Sequence, residues 1–253
     1  MKKSLTILVC AFNEAKNISN TLEKIFYCIK NRKDKQTKVK VVVVDDGSSD
    51  NTVSIVESIS KKKELTLIEN NTNIGMGGSI KKLIMMCDTD KITFVPGDND
   101  LSEQLVQYSI DYAFKADVIS FYLVNDELRG NVRYFISKFH NLLYCFCFNQ
   151  YLIYFNGPKV LPVKCLKKVK LNASKFALIP EMSIKVMKMG VTFTEIPGER
   201  LNDDQDSLSL SFGSIFEAFY IFIFTLIEIY ILKRKKYGKK SQRILTKLKV
   251  VDD

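Results

Sequence analysis

The chain has 253 residues, 46% of them apolar, which is enough to bury one sizeable core. Abundant Tyr and Phe exclude wholesale disorder. The net charge of +10 is concentrated in residues 233–249, which hold seven Lys, two Arg and no acid, while the rest of the chain is nearly neutral. That distribution argues against a basic nucleic-acid-binding domain and for a local patch that meets phosphates or an anionic lipid surface.

In chain order, Leu5–Cys10 is a short β-branched apolar run that predicts a buried strand. Lys2-Lys3 before it mimics a secretory signal, but the run ends in Asn13-Glu14-Ala15-Lys16 with no cleavage site. From Asn13 the spacing turns helical, with Ile18, Leu22, Ile25, Phe26 and Ile29 on one face. Val39–Val44 predicts a second strand, followed by a helix capped at Asp50 or Asn51 that carries Ile55, Val56 and Ile59. Leu65–Ile68, Ile92–Val95 and Val118–Tyr122 predict further strands, with helices over Ser79–Cys87 and Ser102–Phe114. Short connections between alternating strands and helices imply an α/β fold, a mostly parallel sheet flanked by helices. The second half predicts an aromatic-rich helix over Val132–Phe148, a turn at Asn156-Gly157-Pro158, a helix over Pro180–Met189 and a strand over Thr192–Ile196. A polar loop, Leu201–Ser207, precedes the apolar segment Phe212–Leu232 and the basic tail. The expected division is a catalytic domain over 1–210 and a membrane-associating segment over 211–253.

The polar clusters fall at the carboxyl ends of the predicted strands, where such sheets bind ligands. Asp45 and Asp46 follow the second strand, and a carboxylate there can accept hydrogen bonds from a nucleobase N–H or a ribose hydroxyl. Turn and cap chemistry accounts for Ser48, Ser49 and Asp50 but not for two adjacent acids. Asp98-Asn99-Asp100 follows the fourth strand and presents two carboxylates suited to a hard divalent cation, Mg²⁺ or Mn²⁺, bridging a diphosphate. Asn73 to Ser79 carries Gly75, Gly77 and Gly78 before a helix, either to bring backbone N–H groups to phosphate or to pack closely. It lacks the G-x-G-x-x-G spacing of a dinucleotide site. The six cysteines contain no C-x-x-C pair, so they read as reduced core thiols, and the only histidine is His140; a zinc site and a Ser-His-Asp centre are both disfavoured.

These segments together resemble the GT-A-fold inverting glycosyltransferases of family 2, the family that includes dolichyl-phosphate mannose synthase. The resemblance covers roughly residues 4–210. Val9-Cys10-Ala11-Phe12-Asn13-Glu14 is similar to the opening V-P-x-Y-N-E segment, and Val43 to Asp50 to V-V-D-D-G-S-x-D. Asn73 to Ser79 resembles N-x-G-x-G-x-A, and Phe94 to Leu101 resembles F-x-D-x-D-L. Asn156-Gly157 and Glu195-Ile196-Pro197 with Arg200 resemble the later N-G and E-V-P…R elements. The resemblance implies a nucleotide-sugar donor held by Cys10, Phe12, Glu14, Val44, Asp46, Gly75, Gly77, Asp98 and Asn99. It implies a metal on Asp98 and Asp100, and phosphate contacts from Arg129, Arg133 and Arg200. Asp98, Asp100, Glu181 and Arg200 would carry catalysis, with Glu181 as general base or as a helix-start acid. The chain departs from the family at Cys10 (often Pro), at Ser102 (often Gln, which puts the third metal ligand in doubt) and at Asp206-Ser207 (often Gly-Ser).

Along Phe212–Leu232, Ser214, Glu217, Ala218, Ile221, Thr225 and Glu228 recur at three and four residues and draw one narrow polar stripe. A single span from a cytosolic domain would place Lys233-Arg234-Lys235-Lys236 outside, against the positive-inside tendency. A helix lying in the interface fits better, with a transmembrane helix or a homo-oligomer contact as alternatives. The expectation is an inverting, metal-dependent glycosyltransferase at the cytoplasmic face of a membrane, acting on a polyprenyl-phosphate-type lipid. The alternatives are a saccharide hydroxyl acceptor or an inactive nucleotide-binding GT-A module.

Overall fold

In the structure, a computed structural model, residues 3–124, 131–175, 177–199, 201 and 212–246 are described. Five apolar runs form strands β1 (Ser4–Ala11), β2 (Lys38–Asp45), β3 (Thr66–Glu69), β4 (Lys91–Pro96) and β5 (Val118–Leu123). Helices α1 (Ile18–Asn31), α2 (Thr52–Ser60), α3 (Gly75–Met86) and α4 (Glu103–Asp111) alternate with them. There follow α5 (Asn131–Phe148), β6 (Lys159–Pro162), α6 (Val163–Leu166), α7 (Leu178–Met187), β7 (Thr192–Gly198), α8 (Phe212–Ile227), α9 (Arg234–Tyr237) and β8 (Gln242–Arg243). The strands make one eight-stranded sheet in the order β3-β2-β1-β4-β6-β5-β7-β8. Every pairing is parallel except those of β6, which runs antiparallel to both β4 and β5.

The sheet is covered on both faces, which is why its central strands are continuous apolar runs rather than alternating ones. On β1, Ile7 and Val9 pack into a layer with Ile18 and Leu22 of α1, Val56 of α2 and Leu105 of α4. Leu8 faces the other layer, built from α3, α5, α7 and α8 with Leu83, Phe148, Met182 and Phe222. β1, the segment that mimics a secretory signal, is therefore an inner strand of the sheet.

The differences from expectation have local causes. The first helix begins at Ile18, because Glu14 C=O takes the N–H groups of Asn17 and Ile18 in a turn. The third begins at Gly75, so the glycine-rich segment is its first turn and not a free loop. Ser102 caps α4 by accepting from Leu105 N–H at 3.2 Å, which accounts for a serine after the second acid. Strands β6 and β8 and the short helices α6 and α9 were not expected.

The C-terminal segment is built into the same fold. β8 pairs with β7, and Ile221, Phe222, Ile229 and Tyr237 join the α7 side of the core. Beyond α8 a π-helical turn, Glu228–Leu232, completes a helix long and apolar enough to cross a membrane. Its stripe turns inward: Ile221, Thr225 and Glu228 are buried, whereas Phe216, Phe219 and Ile231 are exposed.

Candidate functional site

The parallel register of β2, β1 and β4 brings three loops to one edge. Ala11 pairs with Asp45, and Cys10 with Pro96, so Phe12-Asn13-Glu14, Asp46-Gly47-Ser48 and Gly97-Asp98 leave the sheet side by side. They are tied together: Asp46 N–H donates to Ala11 C=O and Gly97 N–H to Cys10 C=O, both at 2.9 Å. Asn13 N–H donates to Ser48 Oγ at 2.8 Å, and Ser49 N–H to Asn13 Oδ1 at 2.9 Å. Asn13 and Asn99, each just past a strand end, have φ of 57° and 62°. Asparagine tolerates that left-handed region better than other non-glycine residues, which lets both positions turn the chain tightly.

The two acids after β2 have different tasks. Asp45 shapes the turn, accepting from Gly47 N–H, Ser48 N–H and Ser48 Oγ. Gly47 has φ +80° with the Thr72–Asn73 backbone 3.0 Å from where a Cβ would lie, so a side chain is excluded there. Asp46 is 6% exposed, and its Oδ1 accepts from Asn70 Nδ2 at 2.9 Å, Ile74 N–H at 3.1 Å and Ser79 Oγ at 3.0 Å. Asn70, just past β3, is a partner that the motif reading missed; within the polar stretch Glu69 to Asn73 nothing in the sequence sets it apart. Asp50 is exposed; it accepts from Thr52 at the start of α2 and from Ala15 N–H beyond β1, and the Thr52 bonds lower its carboxyl below the usual range.

At the β4 end, Asp98 Oδ1 accepts from Asp100 N–H at 3.0 Å, so the two carboxylates share one tight turn, and Asp100 is 5% exposed. Lys24 of α1 reaches the same turn, donating to Leu101 C=O at 2.6 Å. Burial lowers its ammonium pKa, and Cys28, Glu103, Asp100 and Asp98 oppose that shift. No group of three His, Cys, Asp or Glu side chains converges among the described residues. Two carboxylates suit a divalent cation that takes its remaining oxygens from substrate phosphates.

The other expected residues divide. Phe12 is 44% exposed at the edge, and Glu14 is partly buried with its carboxylate held by Asn17. Cys10 and Val44 lie in the sheet; burial, then the charge of Asp46, pushes the Cys10 thiol up to about 12, and Val44 is a core residue. Gly77 donates its N–H to Ser174 C=O at 3.1 Å, and a Cβ there would lie 2.3 Å from that oxygen. Close packing thus accounts for this glycine. Arg129, Arg200 and Asp206-Ser207 lie outside the described residues, as does the side chain of Arg133, which sits in the first turn of α5.

Of the two readings of Glu181, general base or helix-start acid, the structure favours the second, since it lies in the first turn of α7. It is fully buried on α7, and its carboxylate accepts from Asn172 N–H, Asn172 Nδ2, Ala173 N–H and Lys185 Nζ, all within 3.0 Å. Lys185 also pairs with Glu228 at 2.6 Å. A carboxylate so saturated anchors the 172–173 backbone and does not stand ready to accept a substrate proton.

The Glycosyl transferase family 2 model matches residues 6–166. The chain belongs to this family. A dolichyl-phosphate beta-glucosyltransferase, ALG5A, of Trichomonas vaginalis is 25% identical over 82% of this chain and 68% of its own. The TarS 1–349 structure of S. aureus with UDP superposes with a TM-score of 0.58 at 19% identity, over 88% of this chain and 65% of that one. A mannosyltransferase of Pyrobaculum calidifontis with GDP-Man and Mn²⁺ gives 0.55 at 16% identity, over 79% and 56%. The family match and these neighbours make this chain a family 2 glycosyltransferase with the GT-A fold.

Proposed function

We propose that this family 2 enzyme moves a sugar from a nucleotide-sugar onto a polyprenyl-phosphate-type lipid at the cytoplasmic face of a membrane, with inversion. The observation that carries the donor half is the shared edge of β2, β1 and β4. There Asp46 would accept from the nucleotide, with Phe12 and Glu14 beside it, and Asp98 and Asp100 would hold Mg²⁺ or Mn²⁺. Such an ion, when bound, neutralises charge on the departing diphosphate. The chain's own part is to hold that diphosphate in line while the acceptor oxygen approaches from the opposite face of the sugar.

Three features support a lipid phosphate as acceptor. The T. vaginalis relative is named for a dolichyl-phosphate acceptor. A phosphate oxygen is already anionic, so it needs no general base, and Glu181 is saturated by donors. α8 and the π-helical turn after it hold Phe216, Phe219 and Ile231 outward, followed at once by Lys233-Arg234-Lys235-Lys236, which suits an apolar helix resting in an anionic interface. Arg129, Arg133 and Arg200 are the proposed phosphate contacts, since guanidinium matches phosphate oxygens as a fork.

A thermal-shift panel of nucleotide-sugars tests the donor half. A true donor raises the midpoint by mass action, more so with Mn²⁺. No shift from any nucleotide-sugar, with or without Mn²⁺, would overturn the donor-site reading, whereas a shift with no metal-dependent donor hydrolysis would favour an inactive nucleotide-binding module.

A further inference from the structure

Helix α8 is tied to the nucleotide edge by hydrogen bonds joined through short backbone segments. Glu217 of α8 accepts Ser174 N–H on its Oε1 at 2.5 Å. Ser174 C=O accepts Gly77 N–H at 3.1 Å and lies so close that no Cβ fits at residue 77. The first turns of α3 then carry Ser79, which with Ile74 N–H donates to Asp46 Oδ1. The two residues before Ser174 are fixed from the same direction. Asn172 and Ala173 donate to Glu181, whose partner Lys185 is paired with Glu228 beyond α8. A carboxylate taking a backbone N–H is a strong, directional tie. The other oxygen of Glu217 is buried with no hydrogen-bond partner among the described residues, a cost that packing alone does not call for.

We propose that Glu217 is a positioning residue for the donor site: through Ser174 it fixes the start of α3 and with it the orientation of Asp46. The proposal rests on the reading that the Asp46 edge binds the nucleotide. Glu217 touches no reacting atom in this scheme, so its effect belongs in donor affinity and not in turnover at saturation.

The test uses the full chain and three variants, Glu217→Leu, Glu217→Ala and Glu217→Gln. The first two delete the acceptor, while glutamine keeps a carbonyl for Ser174 N–H. Hydrogen exchange followed by mass spectrometry should show α3 amides opening about tenfold faster in the Leu and Ala variants, with β1 unchanged and Gln near wild type. The donor KM and the Kd for the nucleoside diphosphate should rise about five- to tenfold in Leu and Ala with kcat little changed, and recover in Gln. Unchanged α3 exchange, or exchange rising equally across the whole chain, overturns the proposal. So does unaltered nucleotide affinity in all three variants. A wild-type protein that binds no nucleoside diphosphate is a different result: it overturns the donor-site reading itself.

Discussion

Asp46→Asn separates binding from folding at the proposed nucleotide edge. Asp46 Oδ1 accepts from Asn70 Nδ2, Ile74 N–H and Ser79 Oγ in a site 6% exposed. Asparagine has the same shape and keeps a carbonyl oxygen that all three donors can still reach. What it loses is the charge and the second acceptor. Leaving a nucleotide N–H or hydroxyl unpaired in such a site costs about 1–3 kcal/mol, or roughly five- to 150-fold in Kd. Asp46→Ala is a poorer probe. It removes the acceptor from all three donors, and although Asn70 and Ser79 keep their 2.8 Å contact, Ile74 N–H does not regain a partner from that pair. That unpaired donor costs about 1–3 kcal/mol of stability, a fall in Tm of roughly 2–12 °C for a domain of this size. Calorimetric titration with a nucleoside diphosphate and Mn²⁺, with thermal melts on the same samples, reads both quantities. Asp50→Asn is the control, because Asp50 is exposed, shares no partner with Asp46, and as asparagine keeps an acceptor for Thr52. Wild-type affinity in Asp46→Asn, or equal losses in Asp46→Asn and Asp50→Asn, would refute the reasoning.

Asp98→Asn keeps an acceptor for Asp100 N–H, so it should leave Tm within about 2 °C yet abolish the Mn²⁺-dependent increment in nucleotide affinity; an increment of wild-type size removes the metal assignment. Lys185→Met takes the shared buried cation from Glu181 and Glu228, leaving Glu181 only its Asn172 and Ala173 donors and Glu228 only Lys233, and should cost about 3 kcal/mol in urea unfolding, whereas Glu228→Gln, which leaves the Lys185–Glu181 pair, should cost clearly less. Burial lowers the His140 imidazole to about 4, from an ordinary value of 6.5. Between those values the unfolded chain holds the extra proton and the native state does not, so stability from this group falls as pH drops from about 6.5 to 4. Because His140 is the only histidine, its single C2–H proton resonance should stay at the neutral position from pH 8 down to about 5.

The donor half was legible because its signals are local. Strands β1 to β5 centre on short apolar runs, and the acids and glycines of the site fall at the ends of β2 and β4 and before α3. The second half depends on partners distant in sequence. Lys159 opens β6, and its buried ammonium donates to the carbonyls of Tyr154, Phe155 and Gly157; burial, opposed by Glu195, lowers it to about 7. Hydropathy cannot mark such a residue as a strand interior, and only the pairing with β4 and β5 does. Glu181 is the helix-start acid that the sequence allowed, and its i,i+4 spacing to Lys185 was the available sign that it also belongs to an ion pair. The stripe on Phe212–Leu232 was legible, but not its direction. Its partner Lys185 lies on α7, so the stripe faces the core and the apolar side faces out. A truncation after Ser211 would therefore remove core residues Ile221, Phe222 and Tyr237 along with the outward face.

The acceptor assay tests the account most directly. Full-length protein is given radiolabelled donor and Mn²⁺ with either a polyprenyl-phosphate in anionic vesicles or an oligosaccharide, and the products are partitioned between organic and aqueous phases. The account predicts label in the organic phase only when the lipid phosphate is present, and loss of that label in Arg133→Ala. Label transferred to the oligosaccharide, with no lipid-phosphate product, would contradict it.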